Sequence, residues 1–237
     1  EDQKKKFMIH MPTGSGKTKT CVETMIDYMR TVISEDGFVI WFAHSKELCE
    51  QSYTTLKNMW QFRGDESVNF YKVFGDTEIN IDILNKKRAV LFIGFQKFNS
   101  ILSSKSADVI SFRTKIANRA KLVVVDEAHH LSENPVLYDI ILRKTRSISH
   151  LLLLSATPIL RNEAGFLKLL QLLDPDIYSE VELPAFKERI SQKQSISEIS
   201  AGLVPENSLI ITDFIRRLDS YSLDNETLQI LTKNLRF

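Results

Sequence analysis

Short apolar runs alternate with longer amphipathic stretches over about the first 160 residues of the chain. The short runs have the length of β-strands, and the stretches between them carry apolar residues at helical spacing. This alternation is typical of a parallel sheet with helices packed on its faces. Six runs are predicted to be strands: Phe7–Met11, Phe38–Ala43, Val68–Phe74, Ala89–Phe95, Leu122–Val125 and His150–Leu154. Residues 39–42 and 151–154 are apolar on both faces, which predicts strands buried inside the sheet.

Helices are predicted for residues 18–33, 45–61, 108–120, 135–144 and 163–173. Ser45 has the character of an N-cap for the second of them. After about Asp174 the alternation stops, and residues 185–237 show helical spacing, with no strand run. We therefore predict an α/β domain over residues 1–176, with a mainly parallel sheet flanked by helices. Residues 177–237 are predicted to be a helical extension or the beginning of an insert.

The turn between the first predicted strand and helix carries the clearest chemical signal. Residues 11–18 read Met-Pro-Thr-Gly-Ser-Gly-Lys-Thr, which is the P-loop pattern with Met11 in place of the usual first glycine or alanine. Glycines let backbone N–H groups approach phosphate oxygens, and the helix N-terminus adds its positive dipole end. The predicted phosphate-binding residues are Thr13, Gly14, Ser15, Gly16, Lys17 and Thr18.

Within this turn, Lys17 is predicted to reach the β- and γ-phosphates, and the Thr18 hydroxyl to bind Mg²⁺. A plain loop with a chance lysine is the alternative. The position between strand and helix favours a nucleoside-triphosphate-using enzyme.

Composition and charge add little to this picture. The chain has 43% hydrophobic and 26% charged residues and a formal net charge of +1, so its overall charge does not indicate a nucleic-acid partner. No apolar run approaches the roughly 20 residues that a membrane span needs. Cys21 and Cys49 fall on predicted helices without a CxxC spacing, which predicts free thiols and a cytoplasmic location. Because the chain starts without methionine close to the P-loop, we expect it to be a piece of a longer protein.

Two carboxylates follow the predicted strand Leu122–Val125 directly. Asp126 suits a Mg²⁺ ligand at the end of a neighbouring strand. Glu127 is then placed to orient and deprotonate an attacking water as general base. The alternative is a helix N-terminus, where acidic side chains are stabilised by the dipole.

The sequence Asp126-Glu127-Ala128-His129 resembles the DEAH form of motif II in superfamily 2 helicases and translocases, and residues 11–18 resemble their motif I. Residues 155–158, Ser-Ala-Thr-Pro, resemble motif III. All three follow predicted strands in the family's order, and the resemblance covers about residues 7–175. It implies the first RecA-like lobe of an ATP-dependent motor that uses ATP and Mg²⁺, with Lys17 and Glu127 catalytic.

The motif III resemblance implies that Ser155 and Thr157 bond to the motif II segment through His129 and couple nucleotide state to strand binding. A simple turn into a helix is the alternative, since Ser and Thr cap helices and Pro begins them. His130 is interpreted as structural.

Two weaker resemblances concern nucleic-acid contacts. Residues 41–51 resemble motif Ia, which contacts the sugar–phosphate backbone of a bound strand in this family. Residues 94–98 resemble the family segment that comes after motif Ia and makes similar contacts. The implied backbone contacts are His44, Ser45, Lys46, Gln96 and Lys97. Residue type alone favours strand ends and helix caps at these positions.

The sequence resembles more than one subfamily of these enzymes. Downstream residues, including the stretch 169–178, resemble Swi/Snf-type translocases, especially the bacterial ATPase that recycles RNA polymerase. Motif I instead resembles restriction-type and repair-type members.

No Gln-x-x-Gly-Arg-x-x-Arg pattern follows residue 160, and the adenine-reading glutamine is absent upstream of motif I. We therefore expect the arginine fingers to come from a second RecA-like lobe of the parent chain, and this chain alone to bind ATP weakly and hydrolyse it slowly. The expected partner is nucleic acid, DNA rather than RNA, and no membrane. A nucleotide-gated protein-interaction module is the main alternative, and a P-loop enzyme acting on small molecules is a third.

Overall fold

The computed structural model describes residues 5–33, 36–65, 68–144, 148–156, 162–179 and 181–202, with side chains described as far as residue 192. The chain divides into two units, Glu1–Ser179 and Glu180–Phe237. The six strands, the nucleotide-site candidates and most helices belong to the first unit.

The first unit is built on a six-stranded sheet in the order β1-β6-β5-β2-β4-β3, and every neighbouring pair is parallel. The strands are β1 Lys5–His10, β2 Gly37–Ala43, β3 Asn69–Val73, β4 Arg88–Gly94, β5 Ala120–Val125 and β6 His150–Ser155. All six predicted strands are confirmed, each within two residues at either end. All seven residues of β2 and of β4 are buried, whereas the edge strands β1 and β3 are partly exposed.

The helices connect successive strands. Those of the first unit are α1 Lys17–Thr31, α2 Lys46–Arg63, α3 Phe95–Ser103, α4 Ala107–Arg119, α5 Pro135–Lys144, α6 Glu163–Leu173 and the short α7 Pro175–Tyr178. Two 3-10 helices lie at Ile81–Asn85 and Ala128–Glu133. The five predicted helices correspond to α1, α2, α4, α5 and α6 and are confirmed. The second unit contains α8, Leu183–Gly202.

The prediction missed α3. Phe95 was assigned to the end of a strand, but the strand ends at Gly94 and Phe95 begins the helix. Phe95, Phe98 and Ile101 are buried at a spacing of three residues, so one face of this short helix packs on the sheet. Only Gly94 separates Phe95 from the apolar run of β4, so a pattern based on hydrophobicity assigned Phe95 to the strand.

Apolar side chains cover both faces of the sheet. Along β2, Val39 and Trp41 face a cluster that includes the buried residues of α1 and α2. Ile40 and Phe42 face the opposite cluster, which contains residues of α3, α4, α5 and α6. Because side chains alternate along a strand, a strand with helices on both sides must be apolar throughout. The continuous apolar runs in the sequence are explained by this three-layer arrangement.

None of the helices in the described part of the chain combines the length and the apolar character that crossing a membrane requires.

Candidate nucleotide site at the carboxyl edge of the sheet

The strand order gathers the predicted motif segments along one edge of the sheet. Segments that follow β1, β6, β5, β2 and β4 lie next to one another in that order, because all strands run in the same direction. The backbone links continue past the strand ends: Met11 N–H donates to the Ser155 carbonyl at 3.4 Å, and Asp126 N–H to the Phe42 carbonyl at 2.8 Å. In open α/β sheets this edge is where ligands bind.

The glycine-rich turn has the backbone that its sequence predicts. Gly14 and Gly16 have φ angles of +81° and +89°, in the left-handed region that disfavours other residues. Gly16 is the N-cap residue of α1, and no side chain caps the helix there. A Cβ atom built on Gly14 or Gly16 would meet nothing within 4 Å. The first-turn N–H groups of α1 therefore lie beside open space, as phosphate binding at a helix N-terminus requires.

The turn is also held by its own hydrogen bonds. The Ser15 hydroxyl donates to the Pro12 carbonyl at 2.6 Å, and the Ser15 N–H donates to the same oxygen at 3.2 Å. Thr13 is exposed and Thr18 is partly exposed. The predicted phosphate-binding residues thus form one segment before and at the beginning of α1, in which Lys17 is buried and the others are at least partly exposed.

Lys17 lies in this turn but points at the second predicted motif. Its Nζ donates a hydrogen bond of 2.7 Å to Glu127 Oε1, and the side chains are 7% and 20% exposed. The structure therefore brings together the two residues predicted to be catalytic. Both groups are largely shielded from water, so the attraction between their charges is stronger than at an open surface.

Glu127 has an unusual backbone conformation. Its φ and ψ angles are 47° and 54°, and it is the only residue other than glycine with a positive φ in the described ranges. A non-glycine residue there costs about 1–2 kcal/mol. The Oε2 atom is buried without a hydrogen bond; His129 Nδ1 lies 3.3 Å away but not in hydrogen-bonding geometry. A buried carboxylate oxygen with a free acceptor position and a strained backbone are both features of functional sites.

Asp126 is buried, with 2% of its surface exposed. Its Oδ1 accepts a hydrogen bond from the Glu127 N–H at 3.1 Å, and its Oδ2 accepts one from the Ser52 hydroxyl at 3.4 Å. Burial, followed by the negative charge of Glu127, raises the pKa of Asp126 to about 6, against the opposing effect of Lys17. Burial of a carboxylate disfavours its charged form, so this site favours a nearby cation.

Ser52 was not among the predicted site residues. It lies on α2, 1% exposed, on the same buried face as Cys49, Leu56 and Trp60. A polar residue within an otherwise apolar helical face is the signal that could have found it, because a buried hydroxyl needs a hydrogen-bond partner.

The structure brings Ser155 of the motif III segment close to His129 of the motif II segment. Ser155, which is fully buried at the end of β6, has its Oγ 3.3 Å from His129 Nδ1. Burial, then the charge of His130, lowers the pKa of His129, which favours a neutral ring. Thr157, the other predicted coupling residue, lies outside the described residues.

The predicted nucleic-acid contacts follow β2 and β4, which are neighbours in the sheet. Ala43 and Gly94 are paired in register, so the segments after them are adjacent. The ring of His44 packs edge-on against Phe95, with 6.1 Å between the ring centroids. His44, Lys46 and Gln96 are exposed, and Lys97 is partly exposed.

Ser45 has the structural role that its sequence also predicted. Its Oγ accepts a hydrogen bond of 3.3 Å from the Leu48 N–H, and so it caps α2.

Cys21 and Cys49 are free thiols, buried on α1 and α2, as predicted. Burial, and then the negative charge of Asp126, raises the pKa of both; that of Cys49 rises to about 12. Both thiols are therefore protonated at neutral pH and serve as small apolar side chains beneath the site.

Several known proteins resemble this chain in sequence or in fold. The sequence model of a family described as "Type III restriction enzyme, res subunit" matches residues 1–160. The protein named "Putative ATP-dependent RNA helicase MJ1505", from Methanocaldococcus jannaschii, is 28% identical over 155 residues, which are 65% of this chain and 18% of that protein. "RNA polymerase-associated protein RapA" from Pasteurella multocida is 35% identical over 92 residues, 37% of this chain and 9% of that protein.

Among solved structures, the Hef helicase domain of Pyrococcus furiosus resembles this chain with a TM-score of 0.51 and 18% identity. The likeness covers 98% of this chain and 53% of that one, and at this identity it establishes the fold alone. The chain spans less than a fifth of the length of the two curated relatives and about half of the solved domain.

The parallel sheet and its flanking helices define a RecA-like lobe. The chain belongs to the Type III restriction enzyme res subunit family and corresponds to the first lobe of superfamily 2 helicases. Both resemblances seen in the sequence, to restriction-type members and to the RNA-polymerase-associated ATPase, are found among its relatives.

Proposed function

We propose that this lobe binds and hydrolyses ATP with Mg²⁺, and that the cycle drives movement along nucleic acid. The observation that carries the proposal is the 2.7 Å contact between Lys17 and Glu127, beside the buried Asp126. A phosphate-binding lysine and two carboxylates meeting at the carboxyl edge of a parallel sheet are the groups that phosphoryl transfer to water needs.

The residues present fit a Mg²⁺-nucleotide. The space around Gly14 and Gly16 is open, so a phosphate can approach the N–H groups at the beginning of α1. In this proposal Thr13–Thr18 cradle the phosphates, while the Thr18 hydroxyl and Asp126 hold Mg²⁺. The ion would neutralise charge on the phosphate oxygens. A positive charge near Asp126 would also stabilise its ionised form.

Glu127 is the proposed general base. Its free Oε2 can accept the proton of a water molecule, while Oε1 is held by Lys17. Binding of phosphate by Lys17 would weaken that hold, because the negative phosphate would compete with Glu127 for the single positive charge. Nucleotide binding would thus free Glu127 from Lys17, so that Glu127 can accept a proton from the attacking water.

His129 and Ser155 are the proposed coupling residues, and Thr157 is kept as a third. The 3.3 Å contact between His129 and Ser155 links the turn after β5 to the end of β6. A displacement of Glu127 can pass through this contact to the segment that follows β6.

Nucleic acid is the partner class we propose, because the family's relatives include helicases. We propose contacts through the surface after β2 and β4: His44, Ser45, Lys46, Gln96 and Lys97. We propose DNA rather than RNA, in keeping with the restriction-enzyme family, although one relative is named an RNA helicase. Contacts of this kind reach phosphates and sugars, so binding should be insensitive to base sequence and weaken with salt.

We also propose that a second RecA-like lobe completes the site, as the greater length of the relatives supports. Such a lobe would supply arginine groups, which raise turnover about 10³-fold or more in other NTPases. The two free buried cysteines support a cytoplasmic location.

The test is ATP turnover by this chain and by its longer parent protein, with and without duplex DNA, single-stranded DNA and RNA. Turnover that DNA stimulates most is the expected result. If no nucleic acid changes turnover in the parent protein, the motor proposal is wrong. Nucleotide-dependent capture of a protein, without turnover, would instead support an interaction module.

A further inference from the structure

Three metal-binding side chains converge beside the nucleotide site. His44 follows β2, while His130 and Glu133 belong to the 3-10 helix Ala128–Glu133. One ligand atom from each lies within 4.8 Å of the other two. His44 and His130 are 86 residues apart in sequence, so only the pairing of β2 with β5 brings them together.

The geometry of the three groups is ordered. The rings of His44 and His130 are stacked, with 4.1 Å between centroids and an angle of 18° between planes. Glu133 Oε2 lies 3.0 Å from His130 Nδ1. On its other side, His44 is held edge-on by the buried ring of Phe95. Nitrogen atoms of two imidazoles and an oxygen of one carboxylate thus lie close together in one small region.

The chemistry of the cluster favours one class of ion. Two imidazole nitrogens and one carboxylate, with one position left for water, is a ligand set typical of Zn²⁺. Mg²⁺ prefers oxygen ligands and would be a poor fit.

We propose that His44, His130 and Glu133 form a binding site for a divalent transition-metal ion of the Zn²⁺ type, separate from the proposed Mg²⁺ site. Zn–ligand bonds of about 2.0–2.2 Å require the three atoms to move closer. His44 and Glu133 are exposed, so rotation of their side chains can achieve this.

A bound ion would join the loop after β2 to the turn that begins at Glu127. That turn carries His129 and His130, whose rings lie 4.2 Å apart. The proposed ion would therefore restrain the segment that positions Glu127. The site depends only on these three side chains, so it does not rest on the ATPase proposal.

The test is titration of the full chain with Co²⁺ and Zn²⁺, without nucleotide. Co²⁺ reports its coordination by visible absorption, and calorimetry gives the stoichiometry and affinity for Zn²⁺. We expect one ion per chain, with Mg²⁺ in large excess failing to displace it. His44→Ala and Glu133→Gln should each weaken binding about tenfold or more. Glu133 is 67% exposed, so Glu133→Gln tests the site with little risk to folding.

His10→Gln is the matched control, since His10 bonds to the Ala156 carbonyl away from this cluster. It should bind Zn²⁺ as the original chain does. The proposal is overturned if His44→Ala and Glu133→Gln bind Zn²⁺ with the original affinity. It is also overturned if His10→Gln weakens Zn²⁺ binding as much as these two changes do, or if less than one ion binds per chain. Because the readout is metal binding, these results are independent of any ATP turnover.

Discussion

Lys17 and Glu127 are 110 positions apart in sequence, and Lys17 Nζ donates a 2.7 Å hydrogen bond to Glu127 Oε1. Lys17 begins α1 after the edge strand β1, while Glu127 follows β5, two strands away in the sheet. Strand β6 lies between these two strands, so the contact passes over the carboxyl end of β6. One ion pair therefore spans the edge at which the proposed phosphate, Mg²⁺ and water sites meet.

Glu127→Gln should preserve nucleotide binding and abolish turnover. The amide oxygen can still accept a hydrogen bond from Lys17, but it cannot take a proton from water. Loss of a general base typically lowers turnover by about 10²–10⁴-fold. Fluorescence titration with a labelled nucleotide and a turnover assay of the parent protein separate the two effects. Glu23→Gln makes the same change on the exposed face of α1 and should behave normally. Turnover near the original rate would refute the assignment of Glu127 as the base.

Lys17→Ala should weaken nucleotide binding and also lower stability. The change removes the proposed phosphate contact and leaves the carboxylate of Glu127, which is 20% exposed, without its cation. Loss of a partner for a partly buried charge costs about 1–3 kcal/mol. Denaturant unfolding and nucleotide titration measure the two losses. Lys19→Ala, an exposed lysine on the same helix, is the control. Unchanged nucleotide affinity would remove Lys17 from the phosphate site.

Gly16→Ala should impair nucleotide binding more than folding. A Cβ at Gly16 meets no protein atom within 4 Å, so the cost to folding is the backbone strain of a positive φ, about 1–2 kcal/mol. The same Cβ would enter the space proposed for phosphate. Gly75 also has a positive φ, and a Cβ there would make only ordinary contact with Lys46. Gly75→Ala should therefore show similar strain, seen by denaturant unfolding, with normal nucleotide affinity. Equal nucleotide affinity in the two variants would argue against a phosphate cradle at Gly16.

Asp126→Asn should stabilise the fold at neutral pH without Mg²⁺. The pKa of Asp126 is about 6 in the folded chain, above its ordinary value of 3.8, so the folded state binds this proton more tightly than the unfolded state. The stabilising contribution of the protonated group is complete below about pH 4 and is lost as pH rises through about 6. The loss is at most about 3 kcal/mol.

Urea unfolding in EDTA at pH 5 and pH 8 checks this effect. The advantage of Asp126→Asn over the original chain should be larger at pH 8 than at pH 5. A variant that is less stable at pH 8 would contradict the proposed cost of the buried charge. The same variant should bind Mg²⁺-nucleotide poorly, because it lacks the anionic ligand.

Ser155→Ala should uncouple turnover from nucleic acid. The change removes the hydroxyl that lies 3.3 Å from His129 Nδ1 and leaves the strand otherwise intact. Nucleotide affinity should stay within about twofold, while stimulation by DNA in the parent protein falls, as expected for a coupling residue. Ser103→Ala, at the end of α3, removes an exposed hydroxyl as the control. Full stimulation in Ser155→Ala would exclude this contact from the coupling.

The candidate site was predicted mainly in its parts, and the contact of Ser155 with His129 is the one pairing of side chains that the sequence analysis named. Asp126 and Glu127 could be found because they follow an apolar strand, and Lys17 because it ends a glycine-rich turn. Ser52 was missed because its signal is only one polar residue on an apolar helical face. The helix α3 was missed because Phe95 was assigned to the end of β4 and a helix of 9 residues shows little of the helical period.

What the sequence determined by itself is local: six strands, five helices, and the polar residues that follow the strands. These signals are strong because strands buried on both faces must be apolar throughout, whereas the residues at their ends must satisfy turns and ligands. The tertiary structure decided which strand ends are neighbours. The order β1-β6-β5-β2-β4-β3 pairs Lys17 with Glu127, His129 with Ser155, and His44 with His130. Such pairings depend on crossover connections and long-range packing, which no local periodicity encodes.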